Sequence, residues 1–261
     1  MPAMNGWTRN QLLVAFNLYC QMPFGKMHAL NPEIVRLAKH IGRTSSALAM
    51  KLTNIASLDP AITSTGRKGL TGASAADRSM WEEMHSDWER FAIESQQALA
   101  SFGISDDNVD AIDDEAEPDE TPDYTGSNKI SQTMIRVGQS FFRRSVISAY
   151  DGQCCISGLS IPKLLVASHI VPWRVDAANR LNPRNGLCLS ILHDKAFDAG
   201  IITITESLTV CVTQKQVSSE DHFFNVAVRA YDGQPIAMPL KFQPLADFLA
   251  YHRQHVYENW D

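Results

Sequence analysis

Within Val166 to Asp198, VASHIVPWRVDAANRLNPRNGLCLSILHDKAFD, the residue types and their order could cut a phosphodiester. His169 ends an extended apolar run, and Pro172 behind it lacks a backbone N–H and closes a strand, so the imidazole lies at a loop mouth rather than mid-core. A neutral imidazole can take a proton from water and so make the nucleophile. Asn185, just ahead of Gly186, supplies an orienting amide. His193 and Asp198, with Asp194 in reserve, offer ligands to a divalent cation that keeps several waters and accepts phosphate oxygens. On a helix Asp194 and Asp198 share a face, whereas His193 and Asp198 share one less well, so the ligand register stays open between these pairs. The polar loop contributes Arg174, Arg180 and Arg184; Arg180 or Arg184 would stabilise charge on the phosphorus or the leaving oxygen, with Arg184 the first candidate.

Three ordered motifs run through this stretch: Ser168-His169-Ile170-Val171-Pro172, Asn185-Gly186-Leu187-Cys188-Leu189, and His193 followed by Phe197-Asp198-Ala199-Gly200. Together they resemble the HNH, or ββα-metal, nuclease family, most closely the branch found in restriction-type nucleases. The resemblance implies that His169 is the general base, that Asn185 holds the hairpin loop and orients the base, and that His193 and Asp198 bind Mg²⁺, with Mn²⁺ as the alternative. Two departures stand out. Ser168 occupies the place where many members carry a His or Asp ligand. Cys154, Cys155, Cys188 and Cys211 lack the paired spacing of a zinc ribbon, so no structural zinc is expected.

The remaining chain must position these groups. WTRNQLLVAFNLYC opens with Thr8 and Gln11 in capping-box spacing and continues with Leu12, Ala15, Phe16 and Tyr19 at helical period. Asn31-Pro32 starts a second helix that ends at Gly42, and Arg43-Thr44-Ser45-Ser46 leads into a third, ALAMKLTNIAS. This order reads as a helix-turn-helix module in which Arg43, Ser46, Lys51 and Asn54 lie nearest DNA, with Arg67 and Lys68 on phosphates; a plain three-helix bundle is the competing reading. Residues 74–101 continue as one helix with an apolar stripe of Trp81, Met84, Trp88, Phe91 and Ile93. After the linker, residues 130–150 read as a helix offering Arg143 and Arg144 to phosphates. CCISG and LLVASHIVP are expected to form the arms beside a Gly-containing turn. IITITESLTVCVTQ reads as two strands and FFNVAVRAYDGQPIAMP as another, with a turn at Asp232-Gly233. The ending is helical, and His252 and His255 read as surface or core-edge residues.

The expected fold is therefore α+β. A helical, helix-turn-helix-like DNA-binding domain (1–103) is joined by an acidic linker (104–128) to a ββα-metal nuclease domain (129–261) with extra strands and a C-terminal helix. A formal charge of −6 argues at first against a nucleic-acid partner. Yet ten of the 29 acidic residues fall between Asp106 and Asp123 with no Lys or Arg among them, leaving 19 acids against 23 basic residues elsewhere. That linker composition is solvated, and an acidic segment resting in the basic site until DNA displaces it is a second use for it. With no apolar run long enough for a bilayer and five cysteines in no framework spacing, a cytoplasmic enzyme is expected. The function expected is metal-dependent cleavage of double-stranded DNA by a homodimer, in restriction or defence, with modified DNA as one target. A non-catalytic DNA-binding regulator and an RNA-directed nuclease are the alternatives.

Overall fold

The computed structural model describes residues 6–64, 72–104, 126–214 and 221–257, with side chains from 135 onward in the third stretch. Arg67, Lys68 and the acidic run from Asp106 to Asp123 lie outside the described residues. The chain divides into two compact units, residues 1–144 and 145–261. Among the described residues no helix is long and apolar enough to cross a membrane.

The first unit is all helical. Helix α1, Arg9–Gln21, starts at the capping box seen in the sequence, Thr8 Oγ1 accepting from Gln11 N and Gln11 Oε1 from Thr8 N. Every residue from Gln11 to Cys20 is buried, so α1 is the central rod rather than an amphipathic surface helix. Its polar residues are satisfied inside: Gln11 Nε2 donates to Ile41 O at 2.8 Å and Asn17 Nδ2 to Ser95 Oγ at 2.8 Å. Around it pack α3 (Ser45–Ala56), α5 (Ala75–Ser86) and α6 (Trp88–Ser101), with α2 (Pro32–His40) against α3. Asn31 caps α2, Pro32 takes its first position, and Gly42 at φ +69° ends it, as the sequence predicts. A short helix α4, Pro60–Thr63, follows α3.

The single helix expected over 74–101 is two. Asp87 leaves helical geometry (φ −153°, ψ 89°) and its carboxylate accepts from Arg90 N at 2.9 Å, so a capping residue in mid-run restarts the helix. Exposed ion pairs then tie Arg9 of α1 to Glu83 of α5 and Glu94 of α6.

Helix α7, Gly126–Ala149, leads into the second unit. There β1 (Leu165–His169) pairs antiparallel with β2 (Gly186–Ser190), Leu165 opposite Ser190 and His169 opposite Gly186. Helix α8, Ile191–Asp198, leaves β2 directly and packs on both strands, which completes a ββα unit. A second hairpin joins β3 (Ile202–Ile204) to β4 (Val210–Val212), at the place where the sequence predicts two strands. CCISG is not a hairpin arm. It forms a tight turn, Cys154 N donating to Leu159 O and Cys155 N to Cys188 O, and the true partner of β1 lies beyond the long loop. FFNVAV is not a strand either: Asp221 Oδ1 accepts from Phe224 N at 2.9 Å and starts helix α9, His222–Ala227. A capping carboxylate outweighs the β propensity of Phe and Val over so short a run. Helix α10, Ala246–His252, closes the unit and packs against β3.

Candidate active site

The end of β1 delivers His169 to the mouth of the loop, and Gly186 stands across from it with no side chain to crowd the ring. Its Nε2 lies 2.9 Å from the carbonyl oxygen of Arg180. A carbonyl only accepts, so Nε2 carries the proton and Nδ1 the lone pair. Burial pushes this half-buried imidazole down to about 4 against the opposing pull of the Arg180 carbonyl, so it is neutral at physiological pH, the form a base requires. Trp173 meets the ring edge-on (centroids 5.5 Å apart, 88°), and the Arg180 guanidinium sits over the indole at 5.2 Å.

Asn185 is fully buried and closes the neck of the loop. Its Oδ1 accepts from Val171 N at 2.8 Å and its Nδ2 donates to Val171 O at 3.1 Å, while its own carbonyl accepts from Ile170 N at 3.0 Å. Both backbone groups of the second residue after the base are thereby held by one amide. Inside the loop an Asx side chain recurs every third residue. Asn179 Nδ2 donates to Asp176 Oδ2 at 2.8 Å, Asn182 Nδ2 to Asn179 Oδ1 at 3.0 Å, and Asn185 N to Asn182 O at 2.8 Å. The sequence carries this signal as D-x-x-N-x-x-N-x-x-N over 176–185, a three-residue period that neither the helix nor the strand pattern picks out.

Helix α8 begins at Ser190, whose Oγ accepts from His193 N at 3.2 Å. Asp194 and Asp198 lie one turn apart on it. Asp198 stands at the surface, yet its carboxyl is pushed up to about 6, first by partial desolvation and then by the Asp194 charge, with Lys195 pulling the other way. Asp194 lies in the first turn of the helix, where a carboxylate is favoured, 3.8 Å from Lys195 Nζ, whereas Asp198 sits at the negative end and one turn from a like charge, a placement that a bound cation would relieve. His193 turns elsewhere. It is 3 % exposed, its Nε2 donates to Ala227 O at 2.9 Å, and its Nδ1 lies 3.0 Å from Ser190 Oγ and 3.5 Å from Cys154 Sγ.

The last turn of α8 ends in a Schellman motif: Gly200 (φ +69°) donates to Phe197 O and Ile201 to Ala196 O. His252 of α10 adds to it. Its ring stacks on Phe197 (3.5 Å, 10°), its Nε2 donates to Phe197 O at 3.1 Å, and Thr203 Oγ1 donates to its Nδ1 at 2.8 Å. Expected at a surface or core edge, His252 is instead a buried brace on the acid-bearing helix.

Among the described residues no three His, Cys, Asp or Glu side chains are grouped to hold a metal ion. The groups present do fit a cation that keeps most of its waters: two carboxylates on one helical face, and the Ser168 hydroxyl, 2 % exposed and without a hydrogen-bond partner, next to the base.

Arg184, the candidate for charge stabilisation, is half-buried and gives its Nε to Gln243 O at 3.0 Å. Arg180 has its guanidinium over Trp173 and its carbonyl on the base. Arg143 and Arg144 are half-buried on α7. In the first unit Ser46 is exposed, but Lys51 is not a DNA-facing residue: its Nζ lies 2.8 and 2.9 Å from the carboxylate oxygens of fully buried Asp77. Arg43 donates to Gln11 Oε1 and Gly6 O and lies over Trp7, and Asn54 is half-buried.

Residues 154–205 match the model of a family described as HNH endonuclease, a span that takes in β1, the loop, β2, α8 and β3. No curated protein matches the chain.

Proposed function

We propose that this protein is a metal-dependent endonuclease that hydrolyses phosphodiester bonds of double-stranded DNA, with His169 as the general base. The observation that carries the reading is the neutral imidazole of His169, locked by Arg180 O in the Nε2–H form and offered from a strand end whose neck Asn185 closes. Nδ1 takes a proton from water, the water oxygen forms a new bond to phosphorus, and the bond to the leaving oxygen breaks. A divalent cation, Mg²⁺ or Mn²⁺, held by Asp198 and Asp194 would neutralise the charge that builds on the phosphoryl and leaving oxygens. Asp194 replaces His193 in this assignment because both ring nitrogens of His193 have partners within the fold. Arg180 takes the place of Arg184 as the cation beside the phosphate, because its guanidinium lies over the Trp173 ring that meets His169 edge-on.

The match at residues 154–205 supports nuclease chemistry. A role in restriction or defence, a preference for modified DNA and action as a homodimer extend the proposal by analogy; one such centre cuts one strand, so a double-strand break needs two.

The test is nicking of supercoiled plasmid, modified and unmodified, with Mg²⁺, Mn²⁺ or chelator. Metal-dependent nicking that disappears in His169→Ala and Asp198→Asn supports the reading. Binding without cleavage in every metal makes the protein a DNA-binding regulator, and cleavage confined to RNA makes it a ribonuclease.

A further inference from the structure

The loop between β1 and β2 holds a group of polar residues for which the chemistry above has no use. Asp176, Asn179 and Asn182 stand three apart, and each hands a hydrogen bond to the next. Asp176 Oδ1 accepts from Asn179 N at 3.2 Å and Oδ2 from Asn179 Nδ2 at 2.8 Å. Asn182 Nδ2 donates to Asn179 Oδ1 at 3.0 Å, and Asn182 N to Asn179 O at 3.1 Å. Asn182 Oδ1 in turn accepts from Arg184 N at 3.0 Å. The series ends on Asn185, whose Nδ2 reaches Asn179 O at 3.4 Å while it grips Val171.

Arg180 sits between the second and third rungs. Its peptide carbonyl is the acceptor for His169 Nε2, so whatever fixes the backbone at 179–182 fixes that acceptor. A surface loop of this length, whose one regular piece is the 3-10 turn Pro183–Asn185 that Asn182 caps, has many conformations available to it, and Asx side chains that bond the backbone two or three residues on are the local means of selecting one.

We propose that Asp176, Asn179 and Asn182 are positioning residues: their ladder holds the Arg180 carbonyl against His169 and so keeps the imidazole oriented with Nδ1 toward the water it deprotonates. The inference rests on His169 as the base, and it names how that base is held. Asn182 is the most telling rung, being buried at 6 % exposure and bonded through both ends of its amide.

The experiment compares full-length wild type with Asn182→Ala, Asn182→Asp, Asp176→Ala and, as a purely structural control, Val210→Ala in β4. Two readouts are taken. The first is the His169 Nε2–H proton by ¹⁵N-edited NMR; an imidazole N–H is slow enough in exchange to be seen when it is hydrogen-bonded and shielded from water. The second is plasmid nicking, with kcat and KM separated. In Asn182→Ala and Asp176→Ala the Nε2–H signal is lost or exchange-broadened, and kcat falls between about 10- and 100-fold at unchanged KM, as expected for a displaced catalytic group. Asn182→Asp keeps the Arg184 N bond but sets a carboxylate against Asn179 Oδ1, so it behaves like the alanine variant. Val210→Ala lowers the melting temperature and leaves both readouts as in wild type.

An Nε2–H signal that persists in all three loop variants overturns the proposal, as does a kcat loss in Val210→Ala equal to theirs. Should one loop variant fail to fold, the other two carry the comparison. If wild type cuts no DNA, the nuclease reading fails, and the imidazole proton still decides whether the ladder holds His169.

Discussion

The carbonyl of Arg180 accepts a hydrogen bond from His169 Nε2 at 2.9 Å, and that one contact decides which ring nitrogen can act as a base. Removing the ring removes the proton acceptor. His169→Ala should lower the nicking rate by about 10²- to 10⁴-fold with the melting temperature nearly unchanged, as read by gel assay beside thermal unfolding.

Asn185 makes hydrogen bonds to both backbone groups of a single residue, Val171, from a fully buried position. Asn185→Ala leaves the N–H and C=O of Val171 without those partners, at a cost of about 1–3 kcal/mol in denaturant unfolding. Asn185→Asp keeps the acceptor for Val171 N but faces Val171 O with a second oxygen, so it should lose at least as much activity as the alanine variant.

Arg180 and Arg184 separate by readout. Arg184→Ala breaks the bond to Gln243 O and should lower stability first. Arg180→Ala keeps the backbone carbonyl that holds His169 and should lower kcat with little change in melting temperature.

Lys51 and Asp77 form a buried pair in the helical unit. Lys51→Met strands a carboxylate of 0 % exposure and should destabilise the protein by about 3–5 kcal/mol, whereas Ser46→Ala on the exposed face should change stability by no more than about 0.5 kcal/mol. Urea unfolding of the two variants beside wild type checks both values. A DNA-binding defect in Lys51→Met that tracks its unfolding would mark the residue as structural.

His169 and His252 are both pushed from their ordinary 6.5 to about 4, chiefly by burial. Between those values the unfolded chain binds more protons than the folded one, so each contributes stability that is present above pH 6.5 and lost as the pH falls toward 4. Asp198 acts in the opposite sense: raised from 3.8 to about 6, it opposes folding increasingly as the pH climbs through that range. Among these three groups the two imidazoles outweigh the carboxyl, so together they contribute a rise in stability from pH 4 to 6. In His252→Gln this rise should flatten, as read from melting temperatures across that range.

Much of this was legible in the sequence where a local rule fixes the outcome. The capping box of Thr8 and Gln11, the Asn31-Pro32 start and the Gly42 stop each act within a few residues, and each appears as expected. The order of His169, Asn185 and the acid-bearing helix was legible because strand, loop neck and helix must follow one another to form a ββα unit. What escaped depends on contacts remote in sequence. Nothing near Lys51 announces Asp77, and nothing near His193 announces the Ala227 carbonyl that accepts its hydrogen bond. The break at Asp87 and the helix at Asp221 were local and still misread, because in each case a single carboxylate outweighed the pattern of its apolar neighbours.

The pinch that Asn185 places on Val171 also sets the span that the rest of the loop has to bridge. Arg174 and Val175 are exposed, and they lie outside the neck and ahead of the Asp176–Asn179 turn. Extra chain spliced between them lengthens a tether whose two ends are already tied, and doubling such a segment costs only about 0.6 kcal/mol of closure entropy. What such a graft would disturb is local: the turn in which Val175 N donates to Pro172 O, and through it Trp173, whose indole meets the reacting ring.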